Sequence, residues 1–313
     1  RMTPARNEQQ TVWSSRVTIE PAAWSFSYTD YWGTEVTTFE VHERHERLAV
    51  HAQAVVETRG DDLAWDVDRR VAPNDLGWAA LHDRAVVDKM TEFLAVDART
   101  QPPAELIELA AATTQQPPRL AALDVCALIH DHLGYERGST KVSSTAREVW
   151  ELGRGVCQDY SHVALGALRS IGLPARYVSG YLHPGGGEPN KTVAGESHSW
   201  IEWWCGSWVA YDPTQCRRLT DGYVRVGQGR DYGDVAPLRL ANRLGPDDVF
   251  ELFPNPGAGW GDPLGRDPHL VVDDLRSRRV RPAEMADLYG VVVDTAGELD
   301  EAATAERRRR MRD

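Results

Sequence analysis

The segment Gly153-Arg-Gly-Val-Cys157 constrains the fold more than any other part of this chain. It follows Thr145-Ala-Arg-Glu148, a capping box that predicts the start of a short helix, and its two glycines break that helix. The apolar spacing after Cys157 predicts a second helix, which Gly172-Leu-Pro174 ends. The pattern therefore places a thiol at the first turn of a helix, behind a glycine turn that leaves the sulfur exposed.

Two strand-like segments after this helix carry a histidine and an aspartate. The side-chain pattern predicts strands from Ser197 to Trp204 and from Trp208 to Asp212, joined by the tight turn Cys205-Gly-Ser207. Strands joined by such a turn pair antiparallel. His198 can therefore come within hydrogen-bond reach of Asp212.

Cys157, His198 and Asp212 are the residue types of a thiol nucleophile, its base and the carboxylate that orients the base. Cysteine attacks as the thiolate, and a free thiol with a pKa of about 8.5 is mostly protonated at neutral pH. A helix N-terminus and a nearby imidazolium both stabilise the thiolate. Asp212 would fix the tautomer of His198 and leave its other ring nitrogen for the sulfur. We therefore predict these three residues as a catalytic triad.

Three neighbouring residues carry less specific expectations. The Cys157 backbone N–H is a natural oxyanion donor, and the second donor is open between Gln158, an aromatic side chain and another backbone N–H. Asp159 lies in the first helical turn, where it can compensate the dipole, cap the helix or shape the site. Trp200 is expected either to pack within the sheet or to wall the substrate cleft.

The remaining histidine and cysteine candidates are given structural interpretations. His162 is five residues after Cys157, so on a helix it faces away from the sulfur and is interpreted as a packing residue. Cys126 sits at helical spacing among apolar residues and is expected in the core. Cys205 and Cys216 are expected to be free thiols rather than a disulfide. The chain has no CxxC pair, which argues against a structural zinc site.

The pattern along the chain divides it into three regions. Residues 1–80 alternate with period two and predict a small antiparallel β-domain. Residues 81–245 show helices followed by antiparallel strands, which indicates an α+β catalytic core. Residues 246–313 are a partly irregular extension, with a helix expected from Pro282 to Leu288. The basic run Arg307-Arg-Arg-Arg310 is interpreted as a solvated tail rather than a nucleic-acid contact.

Composition narrows the classes of partner. The 313 residues carry a net charge of −12, which argues against a general nucleic-acid binder. Hydrophobic residues make up 42%, enough for a sizeable core without disulfides. No apolar run is long enough for a membrane span and no signal-peptide core is found. A cytoplasmic protein acting on peptides or proteins is therefore expected, with no nucleic-acid or membrane partner and an open oligomeric state.

The chain resembles the transglutaminase-like superfamily of papain-type thiol enzymes, in particular its bacterial members with an N-terminal β-domain. The resemblance rests on five segments: Gly155-Val-Cys-Gln-Asp-Tyr-Ser-His162, Leu168-Arg-Ser-Ile-Gly-Leu-Pro-Ala-Arg-Tyr-Val-Ser-Gly-Tyr181, Ser197-His-Ser-Trp-Ile-Glu202, Asp212-Pro-Thr214 and Gly229-Arg-Asp-Tyr-Gly-Asp-Val-Ala-Pro237. It implies a papain-like α+β core, no cofactor or metal, and a triad at Cys157, His198 and Asp212. After Pro237 the family's glycine-bearing turn and final strands are not recognisable, and a missing edge strand can expose a sheet.

The activity implied by this resemblance is acyl transfer from amides through a thioester at Cys157. We expect a cysteine protease or amidase, in which water resolves the thioester. Transfer to an amine, as in a transglutaminase, is the first alternative. A binding module of the same fold without turnover is the second, and the intact triad argues against it. A thiol–disulfide or metal protein is disfavoured because the chain has neither CxxC nor clustered ligands.

Overall fold

The computed structural model describes residues 1–42, 44–59, 74–183, 192–193, 196–239, 258–259, 263–276, 282–294 and 296–312. Within these residues antiparallel strands precede a core of helices packed on a sheet. This is the α+β class that the strand and helix patterns predict. No helix in the described ranges is both long and apolar enough to cross a membrane.

The N-terminal region consists of four strands that pair as two antiparallel ribbons, β1 with β4 and β2 with β3. Their bounds are β1 (Gln10–Glu20), β2 (Trp24–Thr29), β3 (Glu35–Glu40) and β4 (Ala49–Thr58). Asp30 builds the turn between β2 and β3, because its carboxylate accepts hydrogen bonds from the N–H groups of Trp32 and Thr34, each at 2.9 Å. Gly33 adopts a φ of +80° there, which favours glycine.

The helices of the core surround the helix that begins at Cys157. They are α1 (Trp78–Leu81), α2 (Arg84–Leu94), α3 (Ala104–Ala112), α4 (Pro118–His132), α5 (Ala146–Leu152) and α6 (Cys157–Ser170), with the short parallel strands β5 (Gly134–Tyr135) and β6 (Arg154–Gly155) on either side of α5. The predicted capping box is present: the Thr145 N–H donates to Glu148 at 2.8 Å, and the Glu148 N–H donates to the Thr145 hydroxyl at 3.3 Å.

The sheet of the core is antiparallel and has five strands in the order β11-β10-β9-β7-β12. The chain runs through β7 (Ala175–Leu182), β8 (Thr192–Val193), β9 (Glu196–Trp204), β10 (Trp208–Asp212), β11 (Arg217–Arg218), β12 (Tyr223–Gly229) and the short helix α7 (Tyr232–Val235). Tyr177, Ile201 and Trp203 are buried in the main core together with apolar residues of α4 and α6. The two strands predicted from Ser197 to Trp204 and from Trp208 to Asp212 correspond to β9 and β10, whereas β12 was not predicted.

Residues of the N-terminal segment contact the outer edge of β12 in the described part of the sheet. The Gln10 side chain donates to the Arg225 carbonyl at 2.9 Å and accepts from the Arg225 N–H at 2.8 Å, so it pairs with β12 as a neighbouring backbone would. The Ala5 N–H donates to the same carbonyl at 2.9 Å. These contacts satisfy backbone groups that an exposed edge would leave open.

The C-terminal region has a small core of its own. After β13 (Ala258–Gly259), which pairs with β8, come α8 (Pro268–Arg276), α9 (Pro282–Asp287) and α10 (Glu301–Arg312). The solvated-tail interpretation of residues 307–310 is wrong for Arg307 and Arg308. Arg307 donates to the Ala286 carbonyl at 2.8 Å, and Arg308 donates to the Tyr289 carbonyl at 2.9 Å. Both guanidinium groups satisfy carbonyls at and after the end of α9, where cations are favoured.

Candidate active site

Cys157 is the first residue of α6 and is partly exposed. Extended Val156 precedes it, and the Asp159 carboxylate accepts the Val156 N–H at 2.8 Å and the Thr140 hydroxyl at 2.6 Å. Burial raises the pKa of Asp159, against these two hydrogen bonds. Asp159 therefore makes the cap contact that was one of its expected roles, and this contact fixes the backbone entering the helix at the sulfur.

Gly155 is the position in this turn that cannot carry a side chain. A Cβ added there would lie 2.7 Å from both Cβ and Oδ2 of Asp159. The close approach of the Gly155 backbone to Asp159 explains why a glycine stands two residues before the cysteine. Gly153 has a φ of +69° and ends α5 in the left-handed conformation.

His198 and Asp212 lie within hydrogen-bond distance on β9 and β10. His198 Nε2 is 2.7 Å from Asp212 Oδ2, and the two side chains are 8% and 0% exposed. Because Nε2 faces Asp212, Nδ1 is the ring nitrogen left for the sulfur of Cys157, whose side chain also acts on the pKa of the ring. Burial lowers the pKa of His198, but the hydrogen bonds to Asp212 and Cys157 outweigh it and raise the pKa to about 9. The imidazolium is therefore the stable form of this residue at neutral pH.

The Asp212 carboxylate has its acceptor sites filled from several directions. Oδ1 accepts the N–H groups of Thr214 at 2.9 Å and Gln215 at 3.2 Å. Oδ2 accepts both the His198 ring and the Tyr223 hydroxyl, each at 2.7 Å. Burial raises the pKa of Asp212, but the hydrogen bond and charge of His198 together with these donors lower it on balance. Asp212 is therefore held as a carboxylate with a fixed orientation.

Tyr223 is the residue of this site that the sequence reasoning missed. It is the first residue of β12, is 6% exposed, and its ring centroid lies 5.9 Å from that of His198. The available signal was the aromatic and β-branched run Tyr223-Val-Arg-Val226 after the turn at Asp221-Gly222, which predicts a strand. No local pattern indicates that its hydroxyl reaches Asp212.

Trp200 lies in the sheet beside the site. It is 1% exposed and its ring meets that of Tyr223 edge-on, with centroids 5.5 Å apart. A Cβ at Gly180 on the neighbouring strand would lie 2.7 Å from the Trp200 ring, so the glycine makes room for the indole. Its Nε1–H has no hydrogen-bond partner among the described residues. Trp200 thus packs within the sheet, the first of its two expected roles.

The Gln158 side chain is engaged with the backbone. Its Nε2 donates to the Val142 carbonyl at 3.2 Å, and the residue is 9% exposed. The second oxyanion donor stays open among the candidates named from the sequence. The structure therefore brings together Cys157, His198 and Asp212, while the side chain of Gln158 contacts the loop before α5.

His162 lies in the core, on the helix that Cys157 begins. It is fully buried, and its Nε2 accepts the Tyr232 N–H at 3.2 Å. Burial and the charge of Arg99 lower the pKa of His162 to about 3, so the ring is neutral. It packs against the ring of Tyr177 at 5.4 Å.

All four cysteines are free thiols. Cys126 is fully buried in the main core. The Cys205 sulfur donates to Asp75 at 3.4 Å, and the Cys216 sulfur lies 3.5 Å from the Tyr211 hydroxyl. Across the described part of the chain, no group of three or more His, Cys, Asp or Glu residues could hold a metal ion.

Comparison with known families agrees with this architecture. The family description "Transglutaminase-like superfamily" matches residues 107–213, and "Bacterial transglutaminase-like N-terminal region" matches residues 1–57. A core of helices on an antiparallel sheet, preceded by antiparallel strands, defines an α+β protein with a transglutaminase- or papain-like core. The chain belongs to the transglutaminase-like superfamily.

The relatives in sequence come from mycobacteria. The uncharacterized protein ML0607 of Mycobacterium leprae is 41% identical over 241 residues, which cover 76% of this chain and 84% of that protein. The uncharacterized protein Rv2569c of Mycobacterium tuberculosis is 30% identical over 261 residues, covering 76% and 79%. Among solved structures, a "putative cysteine protease" from Cytophaga hutchinsonii matches with a TM-score of 0.56 and 22% identity, over 74% of this chain and 75% of that one. This last likeness shows the fold.

Proposed function

We propose that this protein is a cysteine-dependent amidase or peptidase that forms a thioester at Cys157. The observation that carries the proposal is the 2.7 Å contact between the His198 ring and the buried Asp212 carboxylate, with the Cys157 side chain close enough to the ring to help raise the pKa of His198. Cys157 stands at the first turn of α6, where the helix N–H groups face outward and favour negative charge. A thiolate–imidazolium pair is supported by each of these features.

The first half of the reaction acylates the enzyme. The Cys157 thiolate attacks the carbonyl carbon of a peptide or side-chain amide, forming the S–C bond, and the Cys157 N–H stabilises the oxyanion. The C–N bond then breaks as the His198 imidazolium gives its proton to the departing nitrogen. Asp212 holds the ring in one orientation through this transfer.

The second half releases the acyl group. Neutral His198 takes a proton from water, the resulting oxygen nucleophile attacks the thioester carbon, and the C–S bond breaks to return the thiolate. An amine entering in place of water would form a new amide, which is the reaction of a transglutaminase. We therefore expect the substrate to be a peptide or protein with an accessible amide group.

Thiol alkylation provides the test that requires no substrate. The rate of labelling by iodoacetamide is measured from pH 5 to 10, in the parent and in His198→Ala, with each site followed by mass spectrometry. We expect Cys157 to be labelled much faster than the other thiols at pH 6 to 7, and His198→Ala to remove most of this advantage. Cys216 is the internal reference because it is also partly exposed and lies outside the triad.

Equal reactivity of Cys157 and Cys216 across this pH range would contradict the proposal and favour a binding module of the same fold. If the ion pair is present, incubation with casein peptides, with and without a labelled primary amine, distinguishes the two reactions. Release of new termini, or of ammonia in the absence of the amine, supports hydrolysis, and incorporation of the label supports amine transfer. If Cys157 alkylates rapidly but neither product appears, the choice of peptide amides as substrates is contradicted.

A further inference from the structure

Tyr223 occupies an unusual place relative to the residue it contacts. In the sheet order β12 is separated from β10 by β9 and β7, yet the Tyr223 hydroxyl lies 2.7 Å from Asp212 at the end of β10. The phenol reaches Asp212 across the face of the sheet, beside the rings of Trp200 and His198. A contact between residues on such distant strands requires the curvature of the whole sheet.

The hydroxyl acts on the same oxygen atom as the histidine. Tyr223 and His198 both donate to Asp212 Oδ2, while Oδ1 is bonded only to backbone N–H groups. A second donor on an acceptor atom withdraws electron density and reduces the negative potential that the first donor meets. The Tyr223 hydroxyl is kept in its donating role because Arg217 Nε approaches its oxygen at 3.4 Å.

We infer that Tyr223 is a positioning residue that limits how strongly Asp212 stabilises the His198 imidazolium. This inference rests on the proposed function, because that imidazolium gives its Nδ1 proton to the departing amine. An imidazolium held too tightly is a poor general acid, even though it stabilises the thiolate. The Tyr223 hydroxyl thus weakens stabilisation of the Cys157 thiolate slightly and makes the His198 imidazolium a better proton donor to the amine.

The test compares Tyr223→Phe with the parent by NMR titration of the His198 ring. Phenylalanine keeps the ring contacts with Trp200 and removes only the hydroxyl. We expect the pKa of His198 to rise by about half a unit or more, since one hydrogen bond to the Asp212 charge is lost. We also expect alkylation of Cys157 to persist to lower pH while amide turnover falls about threefold to tenfold. If Tyr223 only supported the fold, its replacement would reduce the rate of Cys157 alkylation and the rate of amide turnover together.

Two further variants make the result independent of folding. Replacing Tyr223 by 3-fluorotyrosine strengthens the phenol as a donor without changing its shape, and we expect the pKa of His198 to fall. Tyr181→Phe is the matched control. Tyr181 lies on β7, the strand next to β12, and its hydroxyl donates to the Met2 carbonyl at 3.0 Å. We expect this substitution to leave the His198 titration unchanged.

An unchanged or lowered pKa of His198 in Tyr223→Phe overturns the inference, as does a shift in the same direction for both Tyr223 substitutions. The titration reports on the ring whether or not a substrate is turned over. Failure of the proposed function would instead appear as a Cys157 that is no more reactive than Cys216 in the parent protein.

Discussion

The Asp212 carboxylate lies 2.7 Å from His198 Nε2 and is itself completely buried. Asp212→Asn keeps the shape of this contact and removes the charge that stabilises the imidazolium. We expect the pKa of His198 to fall from about 9 toward or below its ordinary value, because burial then acts without the opposing carboxylate. The rate of Cys157 alkylation at pH 6 should drop about tenfold or more. Alkylation profiles of parent and variant check this, and an unchanged profile would contradict the role of Asp212.

Ionisation of His198 and Asp212 makes the free energy of unfolding depend on pH. The pKa of His198 is raised by its partners, so its contribution is complete below about 6.5 and is lost as the pH rises through about 9. The pKa of Asp212 is lowered, so its contribution is complete above its ordinary value and is lost on acidification. We expect urea unfolding of the parent to show a stability decrease between about pH 6.5 and pH 9 that His198→Ala removes. Persistence of that decrease in the variant would assign it to other groups.

The glycine before the cysteine provides a prediction about packing. In Gly155→Ala the new methyl group would lie 2.7 Å from Asp159, and the turn must shift to accept it. We expect a loss of about 1–3 kcal/mol in the free energy of unfolding, and a slower alkylation of Cys157. Gly134→Ala on the adjacent short strand is the matched control, since its nearest neighbour would be 3.8 Å away. Urea denaturation of both variants measures the difference, and equal losses would argue against the contact with Asp159.

The Gln10 amide predicts how the N-terminal region supports the sheet. Gln10→Ala removes both side-chain hydrogen bonds to Arg225 and leaves the Arg225 backbone N–H without the Gln10 acceptor. We expect a loss of about 1–3 kcal/mol in the free energy of unfolding and faster amide exchange along β12. Gln9→Ala tests the neighbouring exposed position and should cost less than about 0.5 kcal/mol. Exchange that is unchanged in Gln10→Ala would show that the edge of β12 is protected by other contacts.

A pair of carboxyl groups next to α7 predicts a further pH effect. Burial, together with the hydrogen bond and charge of Asp97, raises the pKa of Asp231 to about 6. The pKa of Asp97 is about 2, because the hydrogen bonds from Asp231 and Thr100 outweigh its burial. The stabilising form is therefore ionised Asp97 beside protonated Asp231, and it is lost as the pH rises through about 6.

Asp231→Asn imitates the protonated acid, because its amide can donate to Asp97 at every pH and its oxygen can still accept the Gly233 N–H. We expect the variant to lose less stability than the parent between pH 5 and pH 8, with a difference of the order of 1 kcal/mol. Asp234→Asn should instead lose a constant amount between pH 5 and pH 8 and run parallel to the parent, since Asp234 pairs with Arg230 and its lowered pKa keeps it ionised over this range. Thermal unfolding at several pH values compares the two, and parallel pH profiles for parent and Asp231→Asn would contradict the shared proton.

The sequence predicts those features of the fold that depend on residues close together in the chain. The capping box at Thr145 and the glycines before Cys157 depend on side chains within a few positions, and both were predicted. The approach of His198 to Asp212 also follows from one hairpin, whose register pairs Tyr211 with Ile201 and so places His198 diagonally across from Asp212. These features gave the fold class and brought the three candidate residues together.

The sequence was uninformative where contacts join distant strands. Tyr223 reaches Asp212 only because the sheet curves, and Gln10 meets Arg225 only because the N-terminal segment follows the edge of β12. Neither contact leaves a local pattern. The arginines near the C-terminus were misread for the same reason: four consecutive positive charges suggest a solvated tail, but Arg307 and Arg308 bind carbonyls at the end of another helix.

The donors around Asp212 come from β9, β12 and the turn after β10, so three separate parts of the sheet must be in place before its charge is fully compensated. A chain in which β12 has not docked would lack the Tyr223 donor, and the charge of Asp212 would act on the His198 ring without that competition. Docking of β12 therefore adjusts the acidity of the imidazolium as well as completing the sheet. The titration of His198 would report whether that strand is in place.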